Sequence, residues 1–283
     1  MCGIVERLSN DLPALPTKLQ VAAKYAVDNP DRIAFGSMRA AAAECGVSSP
    51  TMLRLARHFG YDSYDTFRAL FQSEVSANNF GSRAERLFKD RGNVDYPLLG
   101  RMREAAHHNI DALFDTNAES TLEAMAEIVR TAKTLHIVAT GSMAWVAGHI
   151  ENTGGIAFPG LRATRLGFAS AVETLSCIGP EDAVLGIGIA PYAKSGVEAV
   201  QYARELGVRT MSITDRRSSP LASLSDHCLI VQNDSPHYYA SVVPVCAAIE
   251  TILAVAVANS RGGAVQRIEK VVELRQRSGA YID

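Results

Sequence analysis

The sequence predicts an α + α/β chain, an N-terminal all-α bundle joined to a doubly wound parallel sheet, and three observations carry that prediction. From Leu15 to about Ala77 the apolar residues recur at helical spacing, with no alternating strand pattern. Past Thr134 the grammar changes. Nearly unbroken apolar runs, LHIVAT, AVLGIGI, RTMSIT and DHCLIVQ, alternate with helical segments such as Ser195–Leu206, the pattern of a parallel sheet covered on both faces. Between the halves, NNFGSRAERLFKDRGN (78–93) is polar and Gly-bearing, with short helical fragments at best, and reads as a linker. The expected divisions are 1–78 for the bundle, 79–118 for a linker and connecting helix, and 119–283 for the α/β half.

Each element has its own signal. The first helix, Thr17–Asp28, is stopped by Asn29-Pro30. The second follows Ser37, placed to cap it, and runs through MRAAAAEC to Gly46. The third spans about Ser49–Phe59 and stops at Gly60. A fourth, after Asp62-Ser63, carries Tyr64, Phe67, Leu70 and Phe71 on one side. Helices over Tyr96–Asp115 and Ser120–Lys133 lead into the sheet, and Tyr239–Asn259 and Ala264–Arg277 close the chain.

Composition excludes several classes. Lys plus Arg is 28 and Asp plus Glu 30, a net charge of −2, so the chain is no general polycation and any anionic partner meets a local patch. The five cysteines are scattered without a C-x-x-C pair, which argues against a disulfide framework or zinc site and for a reducing, cytoplasmic setting. Glu6 and Arg7 interrupt the N-terminus before a signal sequence builds. The greasiest run, Val242–Ala258, contains Glu250 and Thr251 and falls short of the roughly 20 residues of a span, so no membrane partner is expected. His107-His108 diverge by about 100° on a helix, and His149 with Glu151 lacks a third ligand at recognisable spacing. No metal or other cofactor is expected.

The stretch ECGVSSPTMLRLARHFGY (Glu44–Tyr61) carries the first functional signal. A turn between two crossing helices needs a glycine able to take positive φ, supplied by Gly46, and a small residue four positions earlier, supplied by Ala42. Val47 fills the wedge, Ser48 is placed to cap the next helix and Pro50 suits its first turn. The exposed start of that helix, Ser49, Pro50, Thr51 and Arg54, is then the part that meets base edges and phosphates in a major groove, while Met52, Leu53, Leu55, Ala56 and Phe59 turn inward. Ser37, Ser48 and Arg57 complete the candidate DNA-facing set. Met1–Phe80 holds eight Lys/Arg and eight Asp/Glu, so one copy neutralises few phosphates. Two copies on half-sites roughly 34–36 Å apart offset this, and a homo-oligomer, dimer or tetramer, is expected.

These residues carry a resemblance. The segment from LPTKLQVAAKYAVDNP through GVSSPTMLR to FGYDSYDTF resembles the N-terminal domain of the RpiR/MurR family of bacterial transcriptional regulators. The resemblance implies a C-terminal sugar isomerase (SIS) domain, a doubly wound sensor of phosphosugars, together with a double-stranded DNA operator and a small-molecule effector as partners. In such a sheet, ligands bind beyond the carboxyl ends of the strands. The candidate effector residues are Thr140, Gly141, Ser142 and Met143 after the first strand, Tyr192, Lys194 and Ser195 after the second, Asp215 after the third, and His237 in the loop following the last.

Here the chain departs from the family. Members of the SIS type hold phosphate with a serine four residues before an alanine, and with an S-x-S-G-x-T run. Met143 stands at the first position, counted back from Ala147, and Gly188–Ala193 at the second, so every expected hydroxyl is missing. A phosphate dianion needs several aligned donors, so the expected effector is a differently charged or uncharged metabolite, such as a sugar acid or amino acid, or else the pocket is degenerate. The rival readings are an SIS-type isomerase or aldolase using His149, Glu151, His237 or Glu250 as acid and base, and a dimerising scaffold whose bundle binds protein.

Overall fold

A computed structural model describes residues 3–77, 80–92, 97–164 and 170–279, with the side chains of 6, 31 and 73–77 outside the description. It divides into two compact units, one comprising Met1–Met102 with Ser235–Ala240, the other Arg103–Asp234 with Ser241–Asp283.

The first unit is helical: α1 (Ile4–Asp11), α2 (Thr17–Asp28), α3 (Pro30–Phe35), α4 (Met38–Glu44), α5 (Ser49–His58), α6 (Tyr64–Ala77) and α7 (Phe80–Lys89). α2 has the predicted bounds, because Asn29-Pro30 restarts the chain as α3. Leu8, Ile33, Met52, Leu55, Phe67 and Phe71 are fully buried at its centre. Phe67 and Phe71 meet edge to face with ring centroids 5.0 Å apart, a geometry that adds to simple burial. Gln72 Nε2 donates to Ala34 O at 2.9 Å, fixing α6 on α3. Three helices of this unit lie outside the expectation. α1 and α3 were not anticipated. The expected linker contains a continuous helix, α7, where Arg, Glu, Leu and Lys favour helix and Glu85 pairs with Lys89 one turn on at 3.9 Å. The Asn78-Asn79 start of that linker lies outside the described residues.

The second unit holds a five-stranded, all-parallel sheet in the order β2-β1-β3-β4-β5. Its strands are β1 (Leu135–Ala139), β2 (Leu161–Ala163), β3 (Ala183–Gly188), β4 (Arg209–Thr214) and β5 (His227–Ile230), and its helices are α8 (Leu98–Thr116, entering from the first unit), α9 (Glu119–Thr131), α10 (Ala144–Gly154), α11 (Lys194–Glu205), α12 (Pro220–Ser223), α13 (Val243–Ala258) and α14 (Gly263–Ser278). Four strands match the apolar runs. β2 has three residues at the sheet edge, too few to show a period. Val138, Val184, Ala199, Val200, Ala203 and Val208 form one core layer between the sheet and α11. Gly186 makes this layer possible, since a Cβ there would lie 2.6 Å from Val200 Cγ2.

Asn109 in α8 and Asn117 just past its end answer the backbone at and beyond the end of β5. Asn117 Nδ2 donates to Ile230 O and Asn117 Oδ1 accepts from Ile230 N, both at 2.8 Å. One helical turn-pair earlier, Asn109 repeats the exchange with Asp234, donating to its O at 2.7 Å and accepting from its N at 3.1 Å. Asn109 is fully buried, so truncation strands two backbone groups away from water. Asn109→Ala is expected to lower unfolding free energy by about 1–3 kcal/mol in urea titrations, with the secondary structure unchanged.

Candidate functional site

In the first unit, α4 and α5 build the predicted helix pair. Gly46 sits between them at φ +69°, the left-handed region that the turn demands. Ala42 is buried at the crossing, and Val47 packs against the bundle core. Ser37 caps α4, its Oγ accepting from Ala40 N at 3.1 Å. α5 divides by face as expected: Met52, Leu55, Ala56 and Phe59 are buried, whereas Pro50, Arg54 and Arg57 are exposed and Ser49 is half-buried. Neither Arg54 nor Arg57 pairs with a carboxylate among the described residues.

Two details differ from expectation. Thr51 is buried, only 8% exposed, because it precedes Leu55 by one turn on the inward face. Ser48 occupies the cap position through its carbonyl, which accepts from Thr51 N at 2.8 Å. Its hydroxyl bonds the Thr51 hydroxyl at 2.9 Å instead of a helix N–H. Thr51 is thus removed from the base-facing set and becomes an internal brace for Ser48. Arg54 remains outward.

In the second unit, the loops after β1, β3 and β4 converge. Val138, Thr140, Gly188, Tyr192, Gly196 and Val197 line a narrow cleft at the carboxyl ends of β1 and β3. Gly196 permits this convergence, as a Cβ there would stand 2.9 Å from Thr140 Oγ1. Tyr192 OH donates to Asp215 Oδ1 at 2.5 Å and accepts from Arg216 Nε at 3.0 Å. Asp215 Oδ2 accepts from Ala190 N at 3.3 Å and lies 3.6 Å from Arg216 Nε. Burial, and then the charge and hydrogen bond of Asp215, push the Tyr192 phenol well above its ordinary range, so it stays protonated as the donor. Behind this cluster Thr214 donates to the buried Ser219 hydroxyl at 2.8 Å.

The remaining candidates scatter. Gly141 opens a short 3-10 turn at φ +60° and Ser142 is exposed. Met143 is 1% exposed, its large apolar side chain packed into the core, so it is withdrawn as an open contact. Lys194 points outward and pairs with Glu198 at 3.4 Å, one helical turn along. Ser195 is half-buried. His237 belongs to the 235–240 segment of the first unit, whereas Tyr192 and Asp215 belong to the second. There its ring Nδ1 accepts from Tyr239 N at 3.1 Å. Arg83 of α7 donates to Ser235 O at 2.8 Å, and Phe80 stacks on Tyr239 with centroids 4.5 Å apart. Sequence reasoning missed Arg216. The only available signal was its place beside Asp215, directly after an apolar strand.

Removing the Tyr192 hydroxyl deletes one bond to a carboxylate that keeps other donors. Tyr192→Phe is expected to lower stability by about 1–2 kcal/mol in thermal or urea unfolding, while Lys194→Ala, on an exposed pair, changes it negligibly.

Residues 168–258 match the SIS domain. Over 85% of this chain and 83% of its own length, an uncharacterised HTH-type transcriptional regulator of Caldanaerobacter subterraneus subsp. tengcongensis is 25% identical. The sugar isomerase domain of the RpiR transcription factor from Sphaerobacter thermophilus is 26% identical, covers 62% of this chain and 98% of its own, and superposes with a TM-score of 0.57. The Vibrio vulnificus NanR protein, solved with ManNAc-6P, shares the fold across 96% of this chain and 97% of its own at 18% identity and a TM-score of 0.58. With its helix-turn-helix bundle and its five-stranded parallel sheet, the chain carries an SIS domain and is similar to transcriptional regulators of the RpiR family.

Proposed function

We propose that the first unit binds an operator in double-stranded DNA and that the SIS domain senses a small metabolite lacking a phosphate dianion. The observation that carries the DNA reading is the Gly46 turn, which presents Ser49, Pro50, Arg54 and Arg57 on one solvent-facing side of α5. Such a helix start suits the major groove, where arginine reaches base edges and phosphates. The balanced charge of the first 80 residues limits phosphate neutralisation by one copy, so two copies acting together are part of the proposal. The same reading places the protein in the cytoplasm, where its operator lies. Arg54→Ala is expected to abolish binding to the protein's own upstream DNA in gel-shift or anisotropy titrations, with the melting temperature within about 1 °C, since the side chain is exposed.

The effector reading rests on the cleft beside Tyr192. NanR was solved with a sugar phosphate. In this chain the loop after β3 offers Gly188, Ile189, Ala190, Pro191, Tyr192 and Ala193, whose one hydroxyl already donates to Asp215. A dianion would face the Asp215 carboxylate with few free donors, a costly arrangement in a partly dehydrated site. A neutral or amine-bearing metabolite meets no such opposition. Ligand binding alters DNA affinity only through unequal affinity for two arrangements of the protein. A thermal-shift screen pairing phosphosugars with their parent sugars, sugar acids and amino acids should raise the melting temperature only with unphosphorylated compounds. Saturable stabilisation by a phosphosugar alone would overturn this assignment. His149 and Glu250, the groups an isomerase would call on, line a separate groove between helices, which further supports the regulatory reading.

A further inference from the structure

We infer that the ligand of the Tyr192 cleft is an α-amino acid with a small aliphatic side chain, held by Asp215 and Arg216 in the place that the Tyr192 hydroxyl now fills. The inference rests on the metabolite-sensing reading above and names the ligand class within it. One oxygen atom faces both ways here: the phenol donates to Asp215 Oδ1 at 2.5 Å and accepts from Arg216 Nε at 3.0 Å. An uncharged group thus gives the carboxylate a donor and the guanidinium an acceptor. An α-amino acid carries the same two functions in charged form on one carbon, an ammonium that donates and a carboxylate that accepts. Because a single oxygen touches both residues, acid and base stand close enough for groups on one carbon to reach them together. The exchange replaces two bonds charged on one side by two charged on both. The Asp215 side chain is only 12% exposed, so water screens these attractions weakly.

The cleft itself sets the size and character of the ligand. It measures about 10 Å³, room for no more than one water, so a ligand enters only as Tyr192 leaves. Tyr192 sits in the short loop between β3 and α11, and its neighbours Pro191, Ala193 and Lys194 are exposed, so the ring can turn outward with the loop. The space it vacates is bounded by Val138, Ile187, Val197 and Leu221. These apolar walls suit an aliphatic side chain, whereas the hydroxyls of a sugar would lose water there without replacement. Net charge decides among ionic ligands. A zwitterion adds none to the site. An amine without a carboxylate strips Arg216 of the acceptor that Tyr192 supplied, and a carboxylate without an amine sets a second negative charge beside Asp215.

Isothermal titration calorimetry of the full-length chain tests this, with alanine, valine and leucine as probes, each beside its 2-hydroxy acid and its primary amine. At least one amino acid is expected to bind saturably, ~10-fold or more tightly than either counterpart. Tyr192→Phe is expected to bind that amino acid ~10-fold more tightly than wild type, because the internal competitor for Asp215 and Arg216 is gone. Asp215→Asn, checked for folding by its circular dichroism melt, is expected to weaken binding ~10-fold or more and to narrow the preference over the 2-hydroxy acid. A 2-hydroxy acid or amine that binds as tightly as the amino acid overturns the inference. So does Tyr192→Phe binding more weakly than wild type, since the phenol would then contact the ligand instead of standing in for it. Silence from all three amino acids in both wild type and Tyr192→Phe overturns it as well. Saturable binding of an unphosphorylated sugar or sugar acid, with no response to amino acids, overturns this inference and leaves the metabolite reading standing. Saturable binding of a phosphosugar alone overturns both.

Discussion

Paired exchanges of Asn109 in α8 and Asn117 just past its end with the backbone at Asp234 and Ile230 hold the parallel sheet to α8. An edge strand presents unpaired N–H and C=O groups that invite a foreign strand. Here Asn117, just past α8, meets Ile230 at the end of β5 and Asn109 within α8 meets Asp234 beyond it, each amide answering one N–H and one C=O. The segment that ends α8 thereby has its register against the sheet fixed at two points about two turns apart.

Much of the architecture was legible in the residues. α2 and β4 have the bounds read from sequence, because Asn-Pro punctuation and a short run rich in Thr and Ile after Gly207 leave little choice. The Gly46 turn was legible for the same reason, as one glycine at positive φ between two short helices has few alternatives. What stayed hidden depends on tertiary surroundings. β2 is strand only because β1 offers it an open edge, and α7 looked like linker because none of its residues is buried. Thr51 shows the limit at side-chain scale. Its polarity suggests a groove contact, but its helical phase with Leu55 turns it inward and its hydroxyl finds Ser48.

The cleft beside Tyr192 was half visible. Strand ends could be placed, and so could the missing hydroxyls at Met143 and along Gly188–Ala193. The arrangement of Tyr192 between Asp215 and Arg216 could not, because it joins residues from two loops whose separation in sequence says nothing of their distance. The cluster is self-satisfied, with donor, acceptor and counter-charge all supplied by the protein. A ligand entering there competes with an existing network instead of completing an unfinished one, which favours modest affinity and discrimination by shape.

The chain passes between its two units after Met102, after Asp234 and after Ala240. The first unit is therefore not a continuous stretch of polypeptide, since its α7 holds a six-residue insert encoded far downstream, through Phe80 on Tyr239 and Arg83 on two carbonyls. Chimeras that swap first units among relatives by splicing near residue 102 would thus graft a helix away from its own sealing peptide. A working exchange has to transplant both pieces.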